Sequence, residues 1–326
     1  MSEPFLLKPS AKAYLWGGTR LNDEYEKNIP IQPLAETWEC SVHPDGMSLV
    51  ASGKDKGQTL AHVLKRHPEY LGTRIEEEKF PILIKLIDAK ENLSIQVHPD
   101  DVYAYEHENG SSGKAEMWYI LEAEPDAKLV YGFCHKLNQK MLRELTESGE
   151  LENYLQYIPI KKDDVFFVKA GTVHAICKGA LVAEIQQNSN LTYRLYDYNR
   201  SDKMGRKRTL NIEKALDVVN MNAAEEPRQP MRLIRYQKGG AIELLCRCKY
   251  FQVERLTLNT SRCRKMLCMS GRSDSFEVLL CTNGCATIFD YNKLVIPIFQ
   301  GDCIFIPADS EQFFLHGKAR FLKVDC

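Results

Sequence analysis

The sequence predicts a mainly β protein, two jelly-roll barrels with a few short helices. Three observations carry this. Beyond residue 240 the chain reads as short strand-like runs separated by turn residues. Before it, similar runs alternate with only brief stretches of helical spacing. There is also a faint internal repeat. Asp164-Val-Phe-Phe-Val-Lys-Ala-Gly-Thr-Val-His174 lines up with Asp302-Cys-Ile-Phe-Ile-Pro-Ala-Asp-Ser-Glu-Gln312, and Glu116-Met-Trp-Tyr-Ile-Leu121 with Glu277-Val-Leu-Leu-Cys-Thr282. The two units are expected at 1–235 and 236–326, joined by the polar, proline-containing stretch 220–235.

The elements follow in order. Residues 5–20 hold an aromatic and glycine turn, Tyr14-Leu-Trp-Gly-Gly-Thr-Arg20. Residues 35–43 alternate like a strand and end at the turn Pro44-Asp-Gly46, where His43 reads as a turn histidine. Residues 58–67 have helical spacing at Leu60, Val63 and Leu64, and Pro68 stops them. Residues 80–88 form a nearly continuous apolar run, a strand buried on both faces. Lys85 interrupts it and must reach solvent or meet an anion, because an unpaired buried ammonium is very costly.

A helix is expected over 141–154, beginning near Asn138. Strands at 180–187 and 191–198 follow. Glu184 and Gln186 share a face of the first. Arg194, Tyr196 and Tyr198 share a face of the second, which suits a ligand-facing strand or a solvated outer one. Residues 201–208 read as a basic surface loop, and Asn211 caps a short helix to about Val219. Strands are then expected at 241–246, 250–258, 275–281, 285–290, 293–299, 302–307, 312–315 and 319–324.

One stretch organises the rest. In Ser94-Ile-Gln-Val-His-Pro-Asp-Asp101 the polar residues Ser94, Gln96 and His98 alternate with Ile95 and Val97, so a strand presents the three on one face. Pro99 keeps His98 out of the helical region and suits the first position of a helix running to about Glu108. Lys114-Ala-Glu-Met-Trp-Tyr is a strand led by a carboxylate, and 164–176 is a strand, a glycine turn and a second histidine. His98, Glu116 and His174 then form one of the three-ligand sets of catalytic zinc, with the Gln96 amide oxygen as a candidate fourth ligand.

The formal net charge of −1 argues against nucleic acid or an anionic membrane surface as the main partner. No apolar run approaches a membrane span, and the first residues lack the pattern of a secretory signal. Eleven scattered cysteines without an export signal read as reduced thiols of a cytoplasmic protein. Cys246/Cys248 and Cys281/Cys285 lack the spacing of metal-binding pairs and read as small buried residues.

Together, residues 96–101, 114–119, 170–175 and 184–198 closely resemble the type I mannose-6-phosphate isomerases in their short bacterial form. The likeness is strong from about Trp16 to Arg200 and weaker beyond. It implies two cupin-type barrels, one Zn²⁺ per chain, and interconversion of mannose 6-phosphate and fructose 6-phosphate. By that resemblance His98, Glu116, His174 and Gln96 match the zinc ligands, Arg194 the catalytic arginine and Glu184 an active-site carboxylate. Lys85, Ser94 and Lys114 match positions that hold the phosphate. Residues 1–235 become the catalytic zinc-binding unit. Residues 236–326 become a metal-free one, since Gln312 stands where the first copy has His174. Two departures, Lys169 for the usual proline and Asn190 where acidic residues are common, fall on no ligand.

The residues suit the chemistry. Aldose–ketose exchange through a cis-enediol needs a base, for which Glu184 is a candidate, and a fixed cation such as Arg194 where charge develops. Lys85 and Lys114 suit a phosphate dianion. Two other classes compete. A metal-dependent cupin oxidoreductase has no use for phosphate-binding lysines, and a non-catalytic phosphosugar-binding cupin has none for a complete metal set.

Overall fold

The computed structural model describes residues 2–75, 79–202, 204–228, 233–263 and 265–326. Residue 203 of the expected basic loop and residues 229–232 of the expected linker lie outside the described residues.

Ile82–Ala89 is buried along its whole length, and so is Ala180–Gln187. Both lie inside a six-stranded antiparallel sheet ordered Val165–Val168, Glu116–Ala123, Ala180–Gln187, Ile82–Ala89, Glu36–Cys40, Ser10–Lys12. One face of it, through Ile87, Trp118, Ile120 and Val182, packs against Leu129 and Ile176 of a five-stranded sheet. The other face, through Ile82, Ile84, Met117 and Ala183, packs against Val278, Leu280, Phe305 and Leu322 of the C-terminal unit. Covering both faces removes the alternation that a half-solvated strand would show. The five-stranded sheet runs Tyr193–Tyr196, Ile95–Val97, His174–Ile176, Lys128–Phe133, Leu155–Pro159. Helices Gln139–Ser148 and Ile212–Val218 share its core through Leu142, Leu145, Ala215 and Leu216. Antiparallel sheets packed face to face are the expected jelly-roll arrangement.

Among the described residues the strands of the C-terminal unit make a ten-stranded sheet. Its middle repeats the first unit in register. Val168 pairs with Glu116, and Ile306 pairs with Glu277, at the positions the sequence repeat aligns. The boundary expected at 235/236 does not separate the sheets, however. Phe5–Lys8 pairs with Cys303–Ile306 on one side and Leu49–Val50 on the other, so two strands from the start of the chain belong to the C-terminal sheet. Their apolar faces, Phe5, Leu7 and Val50, fill the core shared by both units. No local pattern carries that pairing.

Other expectations shift for local reasons. The runs 275–281 and 285–290 form one strand, Glu277–Asp290, because the turn-like Thr282-Asn283-Gly284 is absorbed as a bulge after Cys281. Likewise 312–315 and 319–324 join as Phe313–Asp325. The helix expected over 141–154 ends at Ser148, where Gly149 adopts a left-handed cap at φ 79°, and a 3₁₀ turn, Leu151–Tyr154, follows. Pro99 precedes its helix rather than opening it: Asp100 is the N-cap, accepting from Tyr103 N, and the helix is Asp101–His107. Sequence patterning left out several strands, among them Lys128–Phe133, Leu155–Pro159, Ile234–Gln237 and Leu267–Met269. No helix among the described residues is long and apolar enough to cross a membrane.

The repeat extends to charge, with signs exchanged. In the first unit Glu184 lies opposite Lys85, and in the second Lys323 lies opposite Glu254. Lys323 Nζ also sits 2.9 Å from Glu277 Oε1, the counterpart of Glu116, and 3.1 Å from Glu254 Oε2. A protein cation thus neutralises the carboxylate that corresponds to the first unit's cluster glutamate. Replacing Lys323 by methionine would leave the buried Glu277 and the half-buried Glu254 without their shared cation, at an expected cost of about 3 kcal/mol. A urea denaturation midpoint within error of wild type would contradict this.

Candidate metal centre and active site

The site forms where the two sheets of the first unit meet. Ile95 and Val97 enter the core, which turns Gln96 the other way. Across the ladder Gln96 is paired with His174 on one side and Arg194 on the other, so three polar residues stand in one row. His98 follows, its carbonyl fixed by the Gly171 amide at 2.9 Å. From the facing sheet Glu116 opens its strand between Val168 and Gln186.

His98, Glu116 and His174 converge, with candidate ligand atoms all within 4.8 Å of one another. The two Nε2 atoms are 3.1 Å apart. Glu116 Oε2 lies 3.5 Å from His98 Nε2, and Oε1 lies 3.3 Å from His174 Nε2. All three residues are at most 1% exposed. His174 Nδ1 donates to the Thr172 carbonyl at 2.8 Å, which leaves the Nε2 lone pair aimed into the cluster. Burial, reinforced by Lys114, holds His98 well below the ordinary imidazole range, and burial also lowers His174 despite Glu116. Neither oxygen of Glu116 accepts a hydrogen bond, and His98 Nδ1 has no partner. Two neutral imidazoles and an unbonded buried carboxylate are costly as they stand, and their donor set fits a divalent metal ion. Gln96 turns its amide nitrogen to His174 at 3.4 Å and its oxygen to Ser94 at 3.3 Å, so the oxygen expected as a fourth ligand faces away from the cluster.

Lys85 meets anions rather than solvent. Its Nζ is 3.0 Å from Glu184 Oε1 and 4.0 Å from Glu36 Oε2. Burial works against its charge, but Glu184 and Glu36 outweigh it and raise its pKa. Indole N–H groups fix both carboxylates, Trp118 to Glu184 at 3.0 Å and Trp38 to Glu36 at 2.7 Å. Lys114 Nζ lies 3.4 Å from Glu116 Oε2. Arg194 is half-buried, and its Nε has no partner. Burial first, then the neighbouring Arg208, lowers its pKa. Asn211 holds the Arg194 backbone at both ends, its amide donating to the Arg194 carbonyl at 2.8 Å and its Oδ1 accepting from Arg194 N at 3.3 Å. That use of Oδ1 explains why Asn211 does not cap the helix it precedes.

The structure brings most of the expected residues together. Lys85, Ser94, Gln96, Lys114, Glu184 and Arg194 line one pocket. Tyr196 and Tyr198 do not share the face of Arg194. The ladder slips after Arg194, placing Tyr196 opposite Ile95, so both tyrosines pack with the core beneath the five-stranded sheet. Sequence reasoning missed Tyr14, Glu36, Thr192 and Arg208 in the pocket wall. For Glu36 a signal existed, since it alternates with Trp38 in the 35–43 run. Arg208 is held by Asp197, Nε to Oδ2 at 2.7 Å, and nothing in its own loop marks it.

Comparison with known proteins follows the geometry. The family model of the phosphomannose isomerase type I catalytic domain matches residues 5–121. The chain is 37% identical over 321 residues to the mannose-6-phosphate isomerase ManA of Bacillus subtilis, covering 98% of this chain and 97% of that one. It is 42% identical over 221 residues to the mannose-6-phosphate isomerase of Streptococcus mutans, covering 68% and 69%. The crystal structure of a mannose 6-phosphate isomerase from Bacillus subtilis superposes with a TM-score of 0.90 at 36% identity, over 99% of both chains.

Proposed function

We propose, from the premise that this chain belongs to the type I phosphomannose isomerase family, that it interconverts D-mannose 6-phosphate and D-fructose 6-phosphate. The observation that carries the reading is the buried, converging His98–Glu116–His174 cluster beside a pocket walled by Lys85, Lys114, Arg194 and Arg208. His98 and His174 through Nε2 and Glu116 through its carboxylate would hold one zinc ion, and Gln96 would join them only with its amide turned over, since its oxygen now faces Ser94. Bound there, zinc would act as a Lewis acid that polarises a sugar oxygen.

The chain's own groups carry the rest. A proton moves between C1 and C2 through a cis-enediol. Glu184, its Oε1 paired with Lys85 Nζ at 3.0 Å and its Oε2 fixed by Trp118, is the candidate base. Arg194 stabilises charge developing on the sugar oxygens. Ser94, Lys85 and Lys114 bind the phosphate, and Arg208 adds a cation at the same wall. The C-terminal unit takes no metal and packs against the back of the catalytic sheet, consistent with Lys323 beside Glu277. Sugar phosphates are intracellular metabolites, which puts the activity in the cytoplasm.

A coupled assay for fructose 6-phosphate formed from mannose 6-phosphate tests the function, and zinc-loaded protein without turnover would refute it. Lys114→Ala should raise KM for mannose 6-phosphate roughly tenfold or more, the scale of one charge-assisted contact. Free mannose should be a very poor substrate for wild type, and equal turnover of mannose and its phosphate would remove the phosphate assignment. Lys85→Ala is the poorer probe, because it strands Glu184 and Glu36 and should destabilise the fold as well.

A further inference from the structure

A hairpin turn of the C-terminal unit reaches the first unit at Asp101, on the segment that follows His98. Residues 248–251 link strands Gly240–Arg247 and Gln252–Asn259. Cys248 N donates to the Phe251 carbonyl at 3.0 Å, and Phe251 is buried in the core that both units share. Beside it, Tyr250 donates its hydroxyl to Asp101 Oδ2 at 2.7 Å. The exposed Lys249 ammonium lies 3.7 Å from the same oxygen.

The other oxygen of Asp101 faces the active-site strand. Oδ1 accepts from Gly113 N at 3.0 Å and from Gln187 Nε2 at 2.9 Å. Gln187 accepts in turn, through Oε1, from Ala115 N at 2.8 Å. Between them, Lys114 N donates to the Pro99 carbonyl at 3.0 Å. Three successive backbone amides, just ahead of the strand that opens at Glu116, therefore take their partners from outside the sheet ladder. Gly113 makes the close approach feasible, since a Cβ there would fall 2.4 Å from the Asp100 carbonyl carbon.

We infer that Tyr250 and Asp101 form a positioning relay through which the C-terminal unit sets where Lys114 and Glu116 point. The inference rests on the roles given above to those two residues. Both side chains leave the clamped segment at alternate positions, 3.4 Å apart at their tips, so a small backbone displacement moves both together. Outer groups that orient a metal ligand typically change affinity or activity by about 10–100-fold when removed. The relay also gives the metal-free unit a part in the reaction beyond covering apolar surface. Neither Tyr250 nor Asp101 lines the pocket, and both act through the residues they hold.

Tyr250→Phe deletes one hydroxyl and keeps the ring. Asp101→Asn keeps the shape and removes the charge. Full-length protein is read three ways: amide hydrogen exchange at 113 and 115, zinc loss to a chelator, and steady-state kinetics with mannose 6-phosphate. Each variant should keep its melting temperature near wild type and exchange these amides faster by roughly tenfold. Zinc loss should quicken by about tenfold or more, and KM should rise more than kcat falls. The double variant should be no worse than Asp101→Asn alone, because both changes act through one carboxylate. Lys249→Ala, touching the same oxygen from solvent, should match wild type in all three. A Tyr250→Phe protein with wild-type exchange, zinc retention and KM would overturn the relay, whether or not its melting temperature fell. If wild type neither held zinc nor isomerised the sugar, the functional reading would fail, while amide exchange would still decide the relay.

Discussion

Replacing His174 with alanine should give a folded protein that retains no zinc and has lost its turnover of mannose 6-phosphate. The imidazole is fully buried and oriented by the Thr172 carbonyl, so no solvent-side group stands ready to replace it. The remaining pair, His98 and Glu116, would have no third protein ligand already turned toward them, because the Gln96 oxygen faces Ser94. A metal acting as Lewis acid supplies several kcal/mol of transition-state stabilisation, which corresponds to a loss of about 10²–10⁴-fold in rate. Metal analysis and the coupled assay should fall together, and added zinc should not restore activity. A full complement of zinc on this variant would remove His174 from the ligand set.

Arg194 should show the second large effect, and a different one. Arg194→Ala and Arg194→Lys should both keep the fold and the zinc, and lose kcat by about 10²–10³-fold, the usual cost of removing one preorganised electrostatic contact. Lysine should rescue little, because it places a point charge where a planar fork fitted. Asn211 holds the backbone on both sides of the arginine, so the substitution changes the head group without freeing the strand. Steady-state kinetics on zinc-replete variants decide the role. A smaller change in KM than in kcat marks an interaction made chiefly in the transition state. Near-normal kcat with a steep rise in KM would instead place Arg194 with Arg208 as a substrate anchor, and Glu184 would be the next residue to test.

What the chain disclosed in advance follows from how local each signal is. His98 could be read because strand alternation and a following proline are neighbours in sequence, and Glu116 and His174 because each begins a run of its own. The repeat was legible since ladder register preserves spacing, as Val168 opposite Glu116 and Ile306 opposite Glu277 show. The failures are non-local or depend on one slipped residue. Arg208 enters the pocket only because Asp197 draws it there. Tyr196 leaves the face of Arg194 because one register shift inverts every position after it. Thr282-Asn283-Gly284 has turn composition, yet its partner strand continues alongside, so the chain bulges instead of reversing.

The pairing of Phe5 with Phe305 also orders events in time. Its partners stand 305 − 5 = 300 residues apart, so on the ribosome the first strand waits for nearly the whole protein to be made. At about 5–20 residues per second that is roughly 15–60 s. During the wait, the catalytic sheet can assemble while Ile82, Ile84, Met117 and Ala183, along with Phe5 and Leu7, still lack the C-terminal strands that will cover them. An unsatisfied strand beside a bare apolar sheet is an invitation to pair with another chain. Nascent chains stopped before residue 303 should therefore aggregate or stay bound to chaperones, and release should coincide with emergence of Cys303–Ile306.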